Sequence, residues 1–178
     1  MLQAINAKFP DMAALVEYGH GKELRMGWYL NGCACGEHVA LDANYEGDVR
    51  SLHGFGFDGV KIDGCGAQKN NTKYAALMRA SGKNYTVENC HWGAMNAIGC
   101  KAGDDASACP TQKWCPFNWY RSSGDINAGA NSWFANLQTV VPYTHRDRPL
   151  STQSCWAYPD MLEVGQIMKP GTKELDLP

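Results

Sequence analysis

A chain of 178 residues fits one domain and is long enough to bury a sizeable core. With 44% hydrophobic and 19% charged residues it excludes global disorder, and a net charge of −2 provides no basic footprint for nucleic acid and no polybasic patch for a membrane. No apolar run approaches bilayer length, and the opening "MLQAINAKFPDM" lacks the apolar core of a signal peptide.

Pro10-Asp11 is a helix start signal, and Met12, Leu15, Val16 and Gly19 follow it at i, i+3, i+4, i+7 spacing. Residues 24–30, "LRMGWYL", read as a strand. Tyr45, Val49, Leu52 and Phe55 form a second helical stripe, and residues 59–63 a second strand. A third stripe, Tyr74, Leu77 and Met78, ends at Ser81-Gly82. Residues 85–90 and 119–126 are further strand candidates, Trp133, Phe134 and Leu137 a fourth stripe, and 161–164 the last strand candidate. Residues 97–118 break the rhythm with Gly, Asp, Ser and Pro and hold three cysteines, which reads as a stapled loop. The organised part is expected to span 1–165, with 166–178 a poorly packed tail.

Alternating strands and helices predict an α/β fold with a parallel sheet, either a barrel or a doubly wound sheet. The lack of a GxGxxG after the first strand argues against a dinucleotide site. The eight cysteines (33, 35, 65, 90, 100, 109, 115 and 155) include no CxxC, and the five histidines are not paired at zinc-ligand spacing. Disulfides are therefore expected rather than a metal site, which implies an oxidising compartment. Two sequons, Asn70-Asn71-Thr72 and Asn84-Tyr85-Thr86, point the same way. The chemistry reads as secreted, lysosomal or vacuolar while the N-terminus carries no address, so a longer parent is expected.

In a parallel barrel the C-terminal ends of the strands converge on one face, where active sites are built. Asp63, Asp125 and Asp160 occupy that position. Any one of them alone is explained by capping or turn formation. Three at equivalent positions, with Lys61 and Arg121 nearby, point to chemistry. A carboxyl pair flanking a scissile bond suits glycoside hydrolysis, and nearby cations keep one member ionised as a nucleophile. Trp28, Tyr29, Trp92, Trp119 and Trp156 offer rings for a sugar-facing wall or for core packing.

"MGWYLNGCACGE", "GFDGVKIDGCG", "VENCHWG", "WYRSSGDI" and "YPDMLEVG", in this order, resemble glycoside hydrolase family 27, the α-galactosidases and α-N-acetylgalactosaminidases. The resemblance covers about residues 9–165 and implies a partial (β/α)8 TIM barrel, strands 3 to 7, from a retaining exo-glycosidase acting on terminal α-linked galactose. It implies Asp63 as nucleophile and Asp125 as acid/base. Tyr29, Lys61, His91, Trp92, Arg121, Asp160 and Met161 would bind substrate. It also implies Cys33–Cys65 and Cys90–Cys115 bridges, with Cys100–Cys109 a local pair by proximity and Cys35 and Cys155 left over. The carboxyl pair supplies both acid and nucleophile, so no metal or organic cofactor is called for, and the expected partner is carbohydrate, not nucleic acid or membrane.

The chain departs from the family's pattern at three points. Nothing corresponds to the Asp-Asp pair that ends barrel strand 2. His91 stands where many of its galactosidases place Glu, and Tyr158 stands where an acid is usual. The sequence therefore leaves open an α-N-acetylgalactosaminidase, a β-L-arabinopyranosidase and a non-catalytic carbohydrate-binding relic, though a relic has no need to keep both Asp63 and Asp125. The oligomeric state is open as well.

Overall fold

The computed structural model describes residues 8–32, 40–90, 115–127, 130–144 and 150–160, with only the backbone of 31, 32, 65 and 130. Helix α1 (Met12–His20) starts where Asp11 accepts a hydrogen bond from the Ala14 N–H at 2.9 Å. Strand β1 (Gly27–Gly32) and helix α2 (Asp42–Phe55) follow. Gly56 closes α2 in the left-handed region at φ 84°, which lets the chain turn directly into β2 (Gly59–Gly66). Asn70 caps α3 (Asn71–Ala80) through the Lys73 N–H at 3.0 Å. Then come β3 (Thr86–Cys90), β4 (Trp119–Arg121), α4 (Ala130–Gln138), α5 (Val141–Thr144) and β5 (Trp156–Tyr158).

The five strands form one parallel sheet in the order β1-β2-β3-β4-β5. A doubly wound sheet reverses its strand order part-way along; this one never does, so it winds in one direction, as a barrel wall does. Between the barrel and the open sheet that the sequence allowed, the topology selects the barrel.

Strand alternation sorts the side chains into two faces. Leu30, Val60, Ile62, Val87 and Tyr120 point to the helices and build a core with Val16 of α1, Tyr45, Val49 and Leu52 of α2, Tyr74 and Met78 of α3, and Tyr143 of α5. Trp28 joins this core edge-on to Phe57, 4.8 Å between ring centroids, so its role is packing. The alternate residues, among them Tyr29, Lys61, Asp63, Glu88, Arg121 and Tyr158, share the opposite face. The strands run close together there. A Cβ on Gly59 would lie 2.8 Å from the Thr86 carbonyl oxygen, nearer than real Cβ atoms come to backbone.

The predicted elements need three adjustments. The strand expected over 119–126 stops at Arg121, because residues 122–127 are held as a loop by side chains described below. A fifth strand, Trp156–Tyr158, is present where none was expected. In α4 the apolar stripe is largely turned to solvent, with Phe134 56% exposed. The strand expected at 161–164, the tail 166–178 and most of the 97–118 loop lie outside the described residues.

The expected Cys90–Cys115 bridge is not formed. Cys115 is bonded to Cys155, 6.2 Å between Cα atoms, and Cys90 is a buried free thiol. Register explains the difference. Trp119 lies opposite Glu88, so Cys115 precedes β4 at the N-terminal edge of the sheet, whereas Cys90 ends β3 at the C-terminal edge. They are several strand residues apart, at about 3.3 Å each, beyond the ~7 Å a disulfide can span. Cys155 precedes β5 at the same edge as Cys115, which also removes it as a partner for Cys35. Cys33, Cys100 and Cys109, and the side chain of Cys65, lie outside the described residues. No described helix is long and apolar enough to cross a membrane.

Candidate active site

Asp63 sits near the C-terminal end of β2 on the face away from the helices, level with Cys90 of β3. Its two oxygens are held separately. Oδ1 accepts the Gly64 N–H at 2.6 Å, and Oδ2 accepts the Tyr29 hydroxyl, which is level with Lys61 on the neighbouring strand. Burial alone would raise the Asp63 pKa. The Tyr29 and Gly64 hydrogen bonds and the charges of Lys61 and Arg121 outweigh it, so the carboxyl is held below its ordinary value. The side chain is therefore a fixed, ionised carboxylate.

Arg121, the last residue of β4, is the link between the acids. It is 3% exposed, donates from Nη1 to Asp125 Oδ1 at 2.7 Å, and lies 3.6 Å from Asp160 Oδ1. Burial opposes its charge, while Cys90, Asp125 and Asp160 favour it, and the balance raises its pKa. Asp125 is set on a tethered loop rather than a free one. Ser122 N–H donates to the Tyr158 carbonyl at 2.7 Å, Ser123 Oγ to the Pro159 carbonyl at 2.6 Å, and Ile126 N–H to Asp160 Oδ2 at 2.8 Å. "RSSGDI" thus ends the strand and fixes the approach of Asp125, whose side chain stays 84% exposed to the cleft and solvent. Asp160 is the loop's anchor. It is buried at φ 86°, a conformation that costs a non-glycine residue roughly 1 kcal/mol or more and that its bonds to Arg121 and Ile126 offset.

Behind β2, a buried polar knot holds the chain leading to α3. Gln68 Nε2 donates to Asp48 Oδ2 at 2.5 Å, and the Tyr74 hydroxyl donates to the same oxygen at 2.8 Å. Burial and the Asp48 charge push the Tyr74 phenol well above its ordinary range, so it serves as a donor. The loop after Asp63 is therefore pinned from below.

Of the residues singled out in the sequence, Tyr29, Lys61, Asp63, Arg121, Asp125 and Asp160 lie on one face or at one end of the sheet. His91, Trp92 and Met161 lie outside the described residues. The sequence reading missed Glu88, whose carboxylate lies 3.3 Å from Lys61 Nζ and accepts the Tyr158 hydroxyl. Its parity with Cys90 in a predicted strand was the available signal. A cavity of ≈ 450 Å3 opens at the other end of this face, between Arg25, Asp58, Gly59, Lys61 and Glu88 among others, and does not include the three acids. It is the lower lumen of the sheet, and Tyr29 and Lys61, which line it, connect it to Asp63. Among the described residues no group of three His, Cys, Asp or Glu side chains is arranged to hold a metal ion.

A family model described as alpha galactosidase A, of the melibiase type, matches residues 1–172. The chain belongs to the alpha galactosidase A family. Among solved structures, α-galactosidase I from Mortierella vinacea is similar at 19% identity and a TM-score of 0.58, over 86% of this chain and 43% of that one. A Bacteroides fragilis protein provisionally described as an alpha-galactosidase/melibiase is similar at 21% identity and a TM-score of 0.60, over 86% of this chain and 33% of that one. These likenesses bear on the fold, and the five-stranded sheet is part of a TIM barrel. The chain spans less than half the length of either structure. No curated protein sequence matches the chain.

Proposed function

We propose that the chain carries the nucleophile and the acid/base of a retaining exo-glycosidase that removes terminal α-linked galactose. The observation that carries this reading is the Asp63 carboxylate, fixed by Tyr29 and Gly64 and kept ionised beside Lys61 and Arg121. In this mechanism one carboxylate oxygen of Asp63 attacks the anomeric carbon. As that C–O bond forms, Asp125 gives its proton to the glycosidic oxygen and the aglycone leaves, producing a glycosyl ester on Asp63. Asp125 then takes a proton from water, whose oxygen attacks the same carbon, frees Asp63 and restores the original anomeric configuration.

Lys61 and Tyr29 line the sugar side of Asp63 in this reading, and Arg121 orients Asp125. Asp160 contributes first by anchoring the acid/base loop, since both its oxygens already meet protein partners. The Cys115–Cys155 bridge supports an oxidising location for the protein, secreted, lysosomal or vacuolar.

The test is a panel of p-nitrophenyl α-galactoside, α-N-acetylgalactosaminide and β-L-arabinopyranoside, with the first-formed anomer read by NMR. Hydrolysis of the α-galactoside with initial release of the α-anomer is expected, falling by ~10⁴-fold or more in Asp63→Asn. An unchanged rate in that variant, or initial release of the β-anomer, would overturn the mechanism. Preference for either other glycoside would reassign the sugar.

A further inference from the structure

Lys61 acts on Asp63, and it meets a carboxylate on the neighbouring strand. Glu88 stands directly opposite Lys61 across the β2–β3 pairing, with Oε1 3.3 Å from the ammonium nitrogen. The same Oε1 accepts the Tyr158 hydroxyl. Tyr158 belongs to β5, so its ring passes over the whole of β4 to reach β3. Two strand spacings are about 10 Å, and such a reach requires a concave face, which the curved wall of a barrel supplies.

We propose that Glu88, anchored by the Tyr158 hydroxyl, is a positioning residue that holds the Lys61 ammonium beneath the nucleophile. The inference rests on the glycosidase reading for its consequence in catalysis, but its geometry stands apart from it. The groups acting on Lys61 come from three strands. They are Asp63 on its own strand, Glu88 and Cys90 on β3, and Arg121 on β4. Burial and Arg121 disfavour the ammonium; Glu88 and Cys90 favour it, and the balance raises its pKa. Glu88 pairs with Lys61 at 3.3 Å, so neutralising it removes a counter-charge that offsets burial and Arg121.

The lysines of the protein are reductively ¹³C-methylated and the Lys61 signal, assigned with Lys61→Arg, is titrated by NMR. Glu88→Gln should move its midpoint clearly to lower pH, and Tyr158→Phe should move it in the same direction by less. In kinetics, Glu88→Gln should lower kcat/KM by ~10²-fold, the cost typical of a slightly misplaced group. Its alkaline limb should shift to lower pH, and Glu88→Asp should restore part of both. A Lys61 midpoint identical in wild type and Glu88→Gln overturns the proposal, whatever the activity. Loss of hydrolysis specific to Asp63→Asn reports on the glycosidase reading alone, so the two can fail separately.

Discussion

Replacing Asp58 with asparagine should weaken the base of the sheet in a pH-dependent way. Asp58 lies in the turn between α2 and β2, and its carboxylate collects three partners from three other segments. Oδ2 meets His20 Nε2 at 2.8 Å and the Met26 N–H at 2.9 Å, and Oδ1 lies 3.3 Å from Lys83 Nζ. Burial opposes the charge, but these contacts outweigh it and lower the pKa from 3.8 to about 2. A depression of that size corresponds to about 2 kcal/mol of folding free energy. The side chain is partly exposed and asparagine can still accept the Met26 bond, so roughly 1–2 kcal/mol should be lost at pH 7. The folded pKa lies below the unfolded one, so the contribution is complete above pH 3.8 and fades as pH falls through about 2. Urea midpoints of the wild type and Asp58→Asn, taken from pH 7 down to pH 2, measure this directly. The variant should unfold about 0.5–1 M urea earlier at neutral pH, and the gap should close in acid. Equal midpoints at pH 7, or a deficit that persists unchanged to pH 2, would refute the reasoning.

Arg121→Ala should cost about 3–5 kcal/mol, because it leaves the Asp160 carboxylate buried without its cation. Chemical denaturation should then show part of the loss recovered in the Arg121→Ala/Asp160→Asn double variant, which removes the unpaired charge and keeps an oxygen for the Ile126 N–H. Cys115→Ser/Cys155→Ser should lower stability by up to about 4 kcal/mol for a loop of 40 residues. Melting with and without reductant should show reductant lowering the wild-type Tm by more than it lowers that of the double serine variant.

Local signals made much of the fold legible. Asp11 and the Met12–Val16–Gly19 stripe marked α1, and Tyr45, Val49 and Leu52 marked the buried side of α2. Asp63 and Asp125 were legible as strand-end acids because each follows a strand of adequate length or a distinctive turn. Strand β5 was not, because three residues show no periodicity and only pairing with β4 defines them. The stop of β4 at Arg121 depends on Ser122 and Ser123 meeting Tyr158 and Pro159, partners 36 residues away. The Cys115–Cys155 pairing depends on register, which places both cysteines at the same edge of the sheet. Glu88 carries no local mark, since its partners Lys61 and Tyr158 are brought together by the curvature of the wall.

The sheet divides its labour along the strand axis. Asp58, with its ties to Met26, His20 and Lys83, and the Cys115–Cys155 bridge all bind the edge where the strands begin. Asp63, Asp125 and Asp160 stand where the strands end. Over evolutionary time such a layout lets the loops of one rim be rewritten for new ligands while the fasteners at the other rim go untouched. A lineage can drift in substrate without first drifting in fold.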